Sequence, residues 1–350
     1  MCGIVGQINL YEKLDQIRFK DMLATLKHRG PDGKGVHISK GGKKALGHHR
    51  LSFLDLSKSG LQPMPNNDGT VWVTFNGEIY NYLDLKKELS ENYTFRTQTD
   101  TEVILAAYQI WGVAFVNRLK GMFAIGILDE SKNQLHLIRD RFGIKPLYYG
   151  VRNQQLVFAS ELKAIIKSNV FSKELDKSAI ADYFVYRYVP SPKTIWEGVN
   201  KLPPAHFITF DLVSLSGEPV SYWELKSSNK TINADELVRL TKKKLLNSVE
   251  QHLQADVPIG SFLSGGYDSS ALALWMKEEA HPPQTYSIGF DNWDKSEHQH
   301  AQTVADSLGL QNKRVIANHE SLSLLNKMPK VYDEPIADIS IIPTFMVSEL

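Results

Sequence analysis

The chain has 350 residues, of which 42% are hydrophobic and 23% are charged. This is longer than a typical domain with a single hydrophobic core, so two domains are expected. The 40 basic residues nearly cancel the 39 acidic ones, so nothing in the charge balance indicates a broad surface for nucleic acid or an anionic membrane. No segment approaches the roughly 20 apolar residues that span a bilayer, and the first ten residues lack a secretory leader. These observations predict a cytoplasmic protein.

The first half of the chain alternates short strand-like runs with turns and two helical patterns. The runs VWVTFNG, MFAIGILDE and QLHLIRD have the composition of strands, and helical patterns are found near 16–28 and 99–111. This mixture predicts an α+β layered domain over residues 2–188. Four prolines in VPSPKTIWEGVNKLPPAHF then disfavour a helix, so residues 189–232 are predicted to form an extended connecting segment.

After residue 233, strands and helices alternate, which predicts a parallel sheet in an α/β domain over residues 233–350. The predicted elements are, in order, the helix ADELVRLTKKKLLNSVEQHL, the strand VPIGSFL, the helix DSSALALWMKEEA, the strand TYSIGF, a helix near 297–308 and the strand NKRVI. The chain ends in the amphipathic pattern IIPTFMVSEL without a glycine cap, a proline or a basic last turn. We therefore expect this domain to be incomplete and residue 350 not to be a natural C-terminus.

The chain contains one cysteine, Cys2, so an internal disulfide is impossible and a cysteine-based metal cluster is disfavoured. Removal of an initiator Met is favoured before a small side chain, and it would leave Cys2 with a free α-amino group. Because the pKa of an α-amino group is about 8 and that of a thiol about 8.5, this amine can accept the thiol proton near neutral pH. Taken alone, a cysteine at position 2 is better explained as an incidental small residue.

Further motifs change that interpretation. They are, in order, CGIVG at 2–6, HRGPDG at 28–33, HHRLSFLD at 48–55, FNGEIYN at 75–81, TQTDTEVI at 97–104 and RDRFGIKPLYY at 139–149. Each has a simpler explanation alone: Asn-Gly as a hairpin turn, HRGPDG as a polar loop and Arg50 as a surface cation. Together the ordered set resembles class II glutamine amidotransferases. The resemblance implies a four-layer αββα fold of the N-terminal-nucleophile hydrolase type.

The resemblance also implies roles for individual residues. Cys2 attacks the side-chain amide of glutamine, and the Asn76 side chain with the Gly77 backbone N–H stabilises the tetrahedral oxyanion. Arg50 binds the substrate α-carboxylate through two guanidinium donors, and Asp100 pairs with the α-ammonium group. The other implied pocket residues are Leu51 and Glu78 and, in a loop that closes over glutamine, Arg29 and Gly30.

The segment VPIGSFLSGGYDSSALAL places a turn rich in serine and glycine between a predicted strand and a predicted helix. Successive N–H groups in such a turn, followed by a helix N-terminus, form a positive concavity for phosphate. No Lys follows the glycines and the GxGxxG spacing is absent, so neither common nucleotide loop is present. Without further support, the turn is a capped connection between a strand and a helix.

The pattern SGGxDS resembles the pyrophosphate loop of ATP pyrophosphatases, which cleave ATP between the α and β phosphates. The resemblance implies that Asp268 contributes to Mg²⁺ binding, that Leu263 and Ile288 flank the adenine, and that Tyr267 occupies a variable position. A further match is DEPIADISIIPTF at 333–345. The implied ATP-binding residues are Leu263, Ser264, Gly265, Gly266, Asp268, Ser269 and Ile288, with Ser270 as an additional donor.

The two halves together resemble glutamine-dependent asparagine synthetase over essentially the whole chain. The resemblance implies a carbon–nitrogen ligase: ATP activates aspartate as an acyl adenylate, and ammonia released at Cys2 displaces AMP, so asparagine, AMP and pyrophosphate are the products. The family continues beyond the motifs present here. If the 350 residues are the whole molecule, glutamine hydrolysis is expected to be kept and amide synthesis to be weak or absent. The expected partners are small molecules, without nucleic acid or membrane, and a homodimer is left open.

Three alternatives stay open on the sequence alone. Related enzymes amidate a sugar acid or close a β-lactam ring, and they differ from this prediction in the acceptor. A glutaminase with a vestigial second domain would not bind ATP, and a non-catalytic glutamine sensor would not hydrolyse glutamine. The pairs His48–His49 and His298–His300 have no further ligands at a recognisable spacing, so no metal site is predicted there.

Overall fold

The computed structural model describes residues 1–227, 231–279, 281–291, 293 and 296–350. Its contacts divide the chain into two compact units. The first unit contains residues 1–226 and 333–336, and the second contains residues 227–332 and 337–350. None of the described helices is long and apolar enough to cross a membrane.

The first unit contains two antiparallel sheets of six strands each, in the orders β10-β8-β9-β1-β3-β2 and β12-β11-β7-β6-β5-β4. The strands are β1 (Gly3–Asn9), β2 (Gly33–Ile38), β3 (Lys44–Arg50), β4 (Met64–Pro65), β5 (Val71–Ile79), β6 (Gly121–Asp129), β7 (Gln134–Arg139), β8 (Tyr148–Arg152), β9 (Gln155–Ala159), β10 (Asn200–Lys201), β11 (His206–Asp211) and β12 (Val220–Ser221). The α-helices are α1 (Gln16–Ala24), α2 (Tyr82–Leu89), α3 (Asp100–Trp111), α4 (Leu162–Lys167) and α5 (Lys177–Tyr186). Short 3-10 helices are Lys27–Arg29, Lys58–Gly60 and Gly112–Arg118.

Helices cover the outer face of each sheet, so this unit has four layers. Phe19 of α1 and Ile165 of α4 pack with Val5 of the first sheet, while α2 and α3 pack on the second sheet. A third apolar cluster joins residues of both sheets, including Ile8 of β1 and Leu128 of β6. This αββα arrangement confirms the fold class predicted for the first half of the chain.

The predicted strands VWVTFNG, MFAIGILDE and QLHLIRD are found as β5, β6 and β7. Asn76 and Gly77 lie inside β5 and pair with Ala124 and Phe123 of β6, so the hairpin-turn explanation of Asn-Gly is wrong. A Cβ atom on Gly77 would lie 2.1 Å from the backbone oxygen of Met122. The glycine therefore allows β5 and β6 to approach each other closely, and it does not form a turn.

Residues 189–226 belong to the first unit, whereas the sequence predicted them as part of a connecting segment. The run HFITFD forms β11, which pairs with β7 from Phe207 opposite Ile138 to Asp211 opposite Gln134. Ile208 and Phe210 are buried in the cluster shared by the two sheets. The prolines do interrupt helix formation, but the alternating apolar residues after them complete a sheet.

The second unit contains a parallel three-stranded sheet in the order β13-β14-β15. The strands are β13 (Gly260–Phe262), β14 (Gln284–Phe290) and β15 (Asn312–Ala317), and the α-helices are α6 (Ala234–His252), α7 (Tyr267–Glu278), α8 (His298–Leu308), α9 (Met328–Val331) and α10 (Ile341–Glu349). A 3-10 helix spans His319–Asn326. The predicted α/β alternation is confirmed, although the last residue of the predicted helix DSSALALWMKEEA, position 280, lies outside the described residues.

Candidate active site

Cys2 immediately precedes β1, an inner strand of its sheet whose seven residues are all buried. Its sulfur accepts a hydrogen bond from the backbone nitrogen of Leu51 at 3.4 Å and lies 3.6 Å from the Leu51 carbonyl oxygen. Burial raises the pKa of the Cys2 thiol. The thiol is therefore protonated near neutral pH, and it needs a base to become a nucleophile.

A small cavity of about 30 Å³ adjoins Cys2 and brings together residues that are far apart in the sequence. It contains six of the residues predicted for glutamine binding or catalysis, whereas Asn76 is not among the lining residues. The six are Cys2, Arg50, Leu51, Gly77, Glu78 and Asp100. Side chains of both charges thus meet beside the thiol.

The Arg50 side chain is 6% exposed and is held by the loop that follows it. Its Nη1 donates to the Ser57 carbonyl oxygen at 2.6 Å, and its Nη2 donates to the Leu54 carbonyl oxygen at 3.1 Å and to that of Asp55. Carbonyl oxygens orient the guanidinium without cancelling its charge. Arg50 therefore places a positive charge in the cavity wall.

The cavity also holds two buried carboxyl groups. Asp100 is the first residue of α3, and its Oδ2 accepts from the Ile79 backbone nitrogen at 3.0 Å. Burial raises the pKa of Asp100 to about 7, and burial together with the Asp100 charge raises the pKa of Glu78 to about 9. The pair therefore keeps at least one proton near neutral pH, and a cation bound beside it would favour ionisation of both groups.

Asn76 is 1% exposed, and neither its Oδ1 nor its Nδ2 has a hydrogen-bond partner in the part of the chain that the structure describes. Leaving a buried polar group unpaired costs about 1–3 kcal/mol. Such a cost is unusual in a stable core and calls for an explanation.

Arg29, predicted to belong to a loop that closes over glutamine, forms a hydrogen bond to the main chain of Cys2. Its Nε donates to the Cys2 carbonyl oxygen at 2.9 Å, and its Nη1 donates to Glu161 Oε1 at 2.8 Å. Gly30 packs closely, since a Cβ atom there would lie 2.4 Å from the backbone carbon of His49. Arg29 is thus held next to Cys2, and Gly30 is held against β3.

Lys145 was not predicted as a site residue. Lys145 is only 5% exposed. Burial lowers its pKa, and the nearby Glu78 has the opposite, smaller effect. Cys2 and Arg29 also contribute to its electrostatic environment. The sequence does contain a pattern that indicates a buried lysine, because Lys145 lies within the apolar part of RDRFGIKPLYY.

Asp100→Asn is expected to raise the unfolding temperature more at pH 8 than at pH 5. The pKa of Asp100 rises from 3.8 to about 7 on folding, so its contribution to stability is complete below the lower value and is lost as pH rises towards the higher one. Asparagine avoids that loss and keeps an oxygen acceptor for Ile79. Thermal unfolding of both chains at the two pH values checks this, and an equal loss of stability at both would contradict it.

In the second unit, the predicted phosphate turn connects β13 to α7. Gly265 has a φ of +84°, and a Cβ atom there would lie 2.7 Å from the Ala301 backbone nitrogen, so only glycine fits. The Ser264 Oγ accepts from the Gly266 nitrogen at 3.2 Å and lies 3.0 Å from the Ser269 Oγ. Gly266 is the N-cap residue of α7 and has no side chain to cap the helix. The first N–H groups of a helix have no partner within the helix, so those of α7 can donate to an anion.

Other residues of this region differ in accessibility. Ser270 Oγ is buried without a hydrogen-bond partner among the described residues, Asp268 is exposed and Ile288 is half-buried on β14. Leu263 is 2% exposed and packs with Ala273 in the core of the unit. A nucleotide would therefore contact the main chain of Leu263 rather than its side chain, which the sequence prediction had not distinguished.

The described residues include no group of three or more His, Cys, Asp or Glu side chains that could hold a metal ion. Asp268 offers a single carboxylate in the first turn of α7. One carboxylate fits Mg²⁺, which usually joins a protein carboxylate to phosphate oxygens and keeps several waters. Asp268 is the residue that would hold such an ion, with phosphate oxygens supplying other ligands.

The αββα fold, with Cys2 at the start of a buried inner strand and Gly77 in the same cavity, defines the first unit as a class II glutamine amidotransferase domain. A family model for the glutamine amidotransferase domain matches residues 1–223, and one for asparagine synthase matches residues 240–350. A solved structure titled "Structure of the allosteric regulatory enzyme of purine biosynthesis" has a TM-score of 0.50 and 18% identity, covering 95% of this chain and 78% of that one. The latter similarity concerns the fold alone.

Two curated relatives match along the whole chain. Asparagine synthetase (glutamine-hydrolyzing) 1 of Bacillus subtilis is 38% identical, and the match covers 55% of that protein. A protein of Methanocaldococcus jannaschii, named provisionally as a glutamine-hydrolyzing asparagine synthetase, is 36% identical, and the match covers 72% of it. The chain belongs to the glutamine-hydrolysing asparagine synthetase family, and it spans about half the length of the Bacillus relative.

Proposed function

We propose that this chain hydrolyses glutamine at Cys2 and supplies the ammonia to an ATP-activated carboxylate, with aspartate as the acceptor. The observation that carries the proposal is the meeting of Cys2, Arg50, Gly77 and Asp100 at one cavity. A guanidinium and a carboxyl group match the α-carboxylate and the α-ammonium of an amino acid. The thiol beside them supplies a nucleophile for the side-chain amide.

In the proposed hydrolysis, removal of Met1 leaves an α-amine on Cys2, and this amine accepts the thiol proton. The thiolate attacks the amide carbon, and the oxyanion is stabilised by the Asn76 side chain and the Gly77 N–H. The α-ammonium returns the proton to the leaving nitrogen, so ammonia departs and a thioester remains. Water then adds to the thioester, which releases glutamate and restores the thiol.

The bound amino acid also explains the two carboxyl groups of the cavity. Its α-ammonium supplies the positive charge that favours ionisation of Asp100, and Glu78 and Leu51 complete the pocket wall. Arg50 binds the α-carboxylate at the other end of the molecule. Recognition at both charged groups fixes the amide carbon relative to Cys2.

For the second unit, we propose that the turn from Ser264 to Gly266 and the start of α7 bind the phosphates of ATP. The support is the positive φ of Gly265, the glycine at the N-cap of α7, and the Ser270 hydroxyl, which has no hydrogen-bond partner among the described residues. Mg²⁺ beside Asp268 would neutralise phosphate charge. The acceptor carboxylate would attack the α-phosphorus, so that pyrophosphate leaves and ammonia later displaces AMP.

The test uses the 350-residue chain after intact mass has confirmed removal of Met1. Release of glutamate and ammonia is measured with glutamine and with glutaramate, which lacks the α-ammonium group. We expect hydrolysis of glutamine and at least about tenfold lower kcat/KM with glutaramate, because Asp100 has no partner. A processed chain that releases no glutamate would refute the proposal.

The ATP half is tested by equilibrium binding of ATP with Mg²⁺ to the same preparation. Binding in the micromolar to millimolar range would support the synthetase function, and addition of aspartate with measurement of pyrophosphate would then test acceptor activation. Hydrolysis of glutamine without any ATP binding would instead identify a glutaminase only.

A further inference from the structure

Asp333 belongs to the short segment 333–336, which is part of the first unit although its neighbours in sequence are part of the second. Its Oδ2 accepts from the Lys163 backbone nitrogen at 2.9 Å, and its Oδ1 lies 3.2 Å from Lys163 Nζ. The Asp333 side chain is 13% exposed. The contact is therefore a two-point, largely desolvated ion pair rather than a surface pair.

Lys163 connects this carboxylate to the nucleophile through two further ion pairs. Lys163 Nζ lies 2.8 Å from Glu161 Oε2, and Glu161 Oε1 lies 2.8 Å from Arg29 Nη1. Arg29 Nε donates to the Cys2 carbonyl oxygen at 2.9 Å. The four charges alternate in sign, so each member has an opposite charge to hold it in place.

The members of this network are shielded from solvent. The exposed fractions of the side chains are 24% for Lys163, 13% for Glu161 and 9% for Arg29. Burial favours the uncharged forms, yet hydrogen bonds from Lys163 and Arg29 lower the pKa of Glu161 below its ordinary value. Glu161 is therefore ionised near neutral pH, whereas burial raises the pKa of Asp333 against the opposing effect of Lys163. Loss of one member leaves a poorly solvated neighbour without its partner.

We infer that Asp333 is a positioning residue for Cys2, acting through Lys163, Glu161 and Arg29. This inference rests on the proposed hydrolysis of glutamine at Cys2. Asp333 lies in the range that the asparagine synthase family model matches, so a residue of the synthetase sequence helps to orient the glutaminase nucleophile. The rate of glutamine hydrolysis then depends on segment 333–336 staying in contact with Lys163.

A second contact secures the same segment independently. Glu334 Oε2 lies 2.6 Å from Lys201 Nζ, and its Oε1 accepts from the Ile195 nitrogen at 2.9 Å. Because these bonds remain when Asp333 is changed, the segment is expected to stay in place. A substitution of Asp333 thus removes the link to the network rather than the whole segment.

The test compares Asp333→Asn with Asp338→Asn, which removes an exposed carboxylate bonded to the Ser340 nitrogen. We measure kcat and KM for glutamine and the rate of Cys2 alkylation by iodoacetamide, read by intact mass on the sole cysteine. For Asp333→Asn we expect kcat to fall about tenfold with KM changed less than about twofold, and alkylation to change at least about threefold. Asp338→Asn should match the unmodified chain in all three.

Two further variants separate positioning from general support of the fold. Asp333→Glu keeps a carboxylate and should recover part of kcat, and adding Asp333→Asn to Lys163→Met should cause no further loss. Unchanged kcat and alkylation in Asp333→Asn, or fully additive losses in the double variant, would overturn the inference. Absence of glutamine hydrolysis in the unmodified chain would refute the proposed function instead, and the alkylation rates would still decide whether Asp333 positions Cys2.

Discussion

Replacing Cys2 with alanine is expected to lower kcat for glutamine hydrolysis by at least about a thousandfold, because the proposed attacking group is removed. No other residue can substitute, since the chain has no second cysteine. The affinity for glutamine should change little, because Arg50 and Asp100 are the residues proposed to contact its charged groups. Glutamate release, together with glutamine binding by calorimetry, measures both quantities.

The controls for Cys2→Ala are the unfolding temperature and ATP binding, which do not depend on the thiol. Within the described part of the chain, the hydrogen bonds of the thiol are long, at 3.4 Å and 3.6 Å to the Leu51 backbone. We therefore expect the unfolding temperature to stay within a few degrees and ATP binding to be retained. A variant that keeps a tenth or more of the hydrolysis rate would exclude Cys2 as the nucleophile.

The elements that the sequence predicted are those with a local signal. Strands β5, β6 and β7 were recognisable because each is a short run with the composition of a strand, and helix α3 because of a helical pattern. The predicted site residues Cys2, Arg50, Gly77 and Asp100 also met in one cavity. Short motifs mark such residues because each motif combines a functional side chain with the backbone geometry that presents it.

Long-range ion pairs were not predictable in the same way. Arg29 and Glu161 are separated by 132 positions, and Lys163 and Asp333 by 170, so no local pattern connects them. Residues 189–226 belong to the first unit because β11 pairs with β7. Pairing partners of this kind are decided by the assembled sheet, not by the composition of the segment.

Asn76→Leu is expected to separate catalysis from stability. The isosteric side chain removes the proposed oxyanion donor, so kcat for glutamine hydrolysis should fall about 10²–10³-fold with little change in KM. The unfolding temperature should stay equal or rise, because the buried Asn76 amide has no hydrogen-bond partner among the described residues and its burial costs about 1–3 kcal/mol. Steady-state kinetics and thermal unfolding measure the two effects.

Asn81, in the same FNGEIYN motif, provides a control for which we expect reduced stability and unchanged kcat. Its Nδ2 donates to the Arg118 carbonyl oxygen at 3.0 Å, and its Oδ1 accepts from the Lys120 nitrogen at 2.8 Å. Asn81→Leu loses both bonds, so it should lower the unfolding temperature and leave kcat near that of the unmodified chain. If Asn76→Leu instead lowered stability and preserved kcat, Asn76 would be a structural residue, and the oxyanion would have to be stabilised by the Gly77 N–H and other donors.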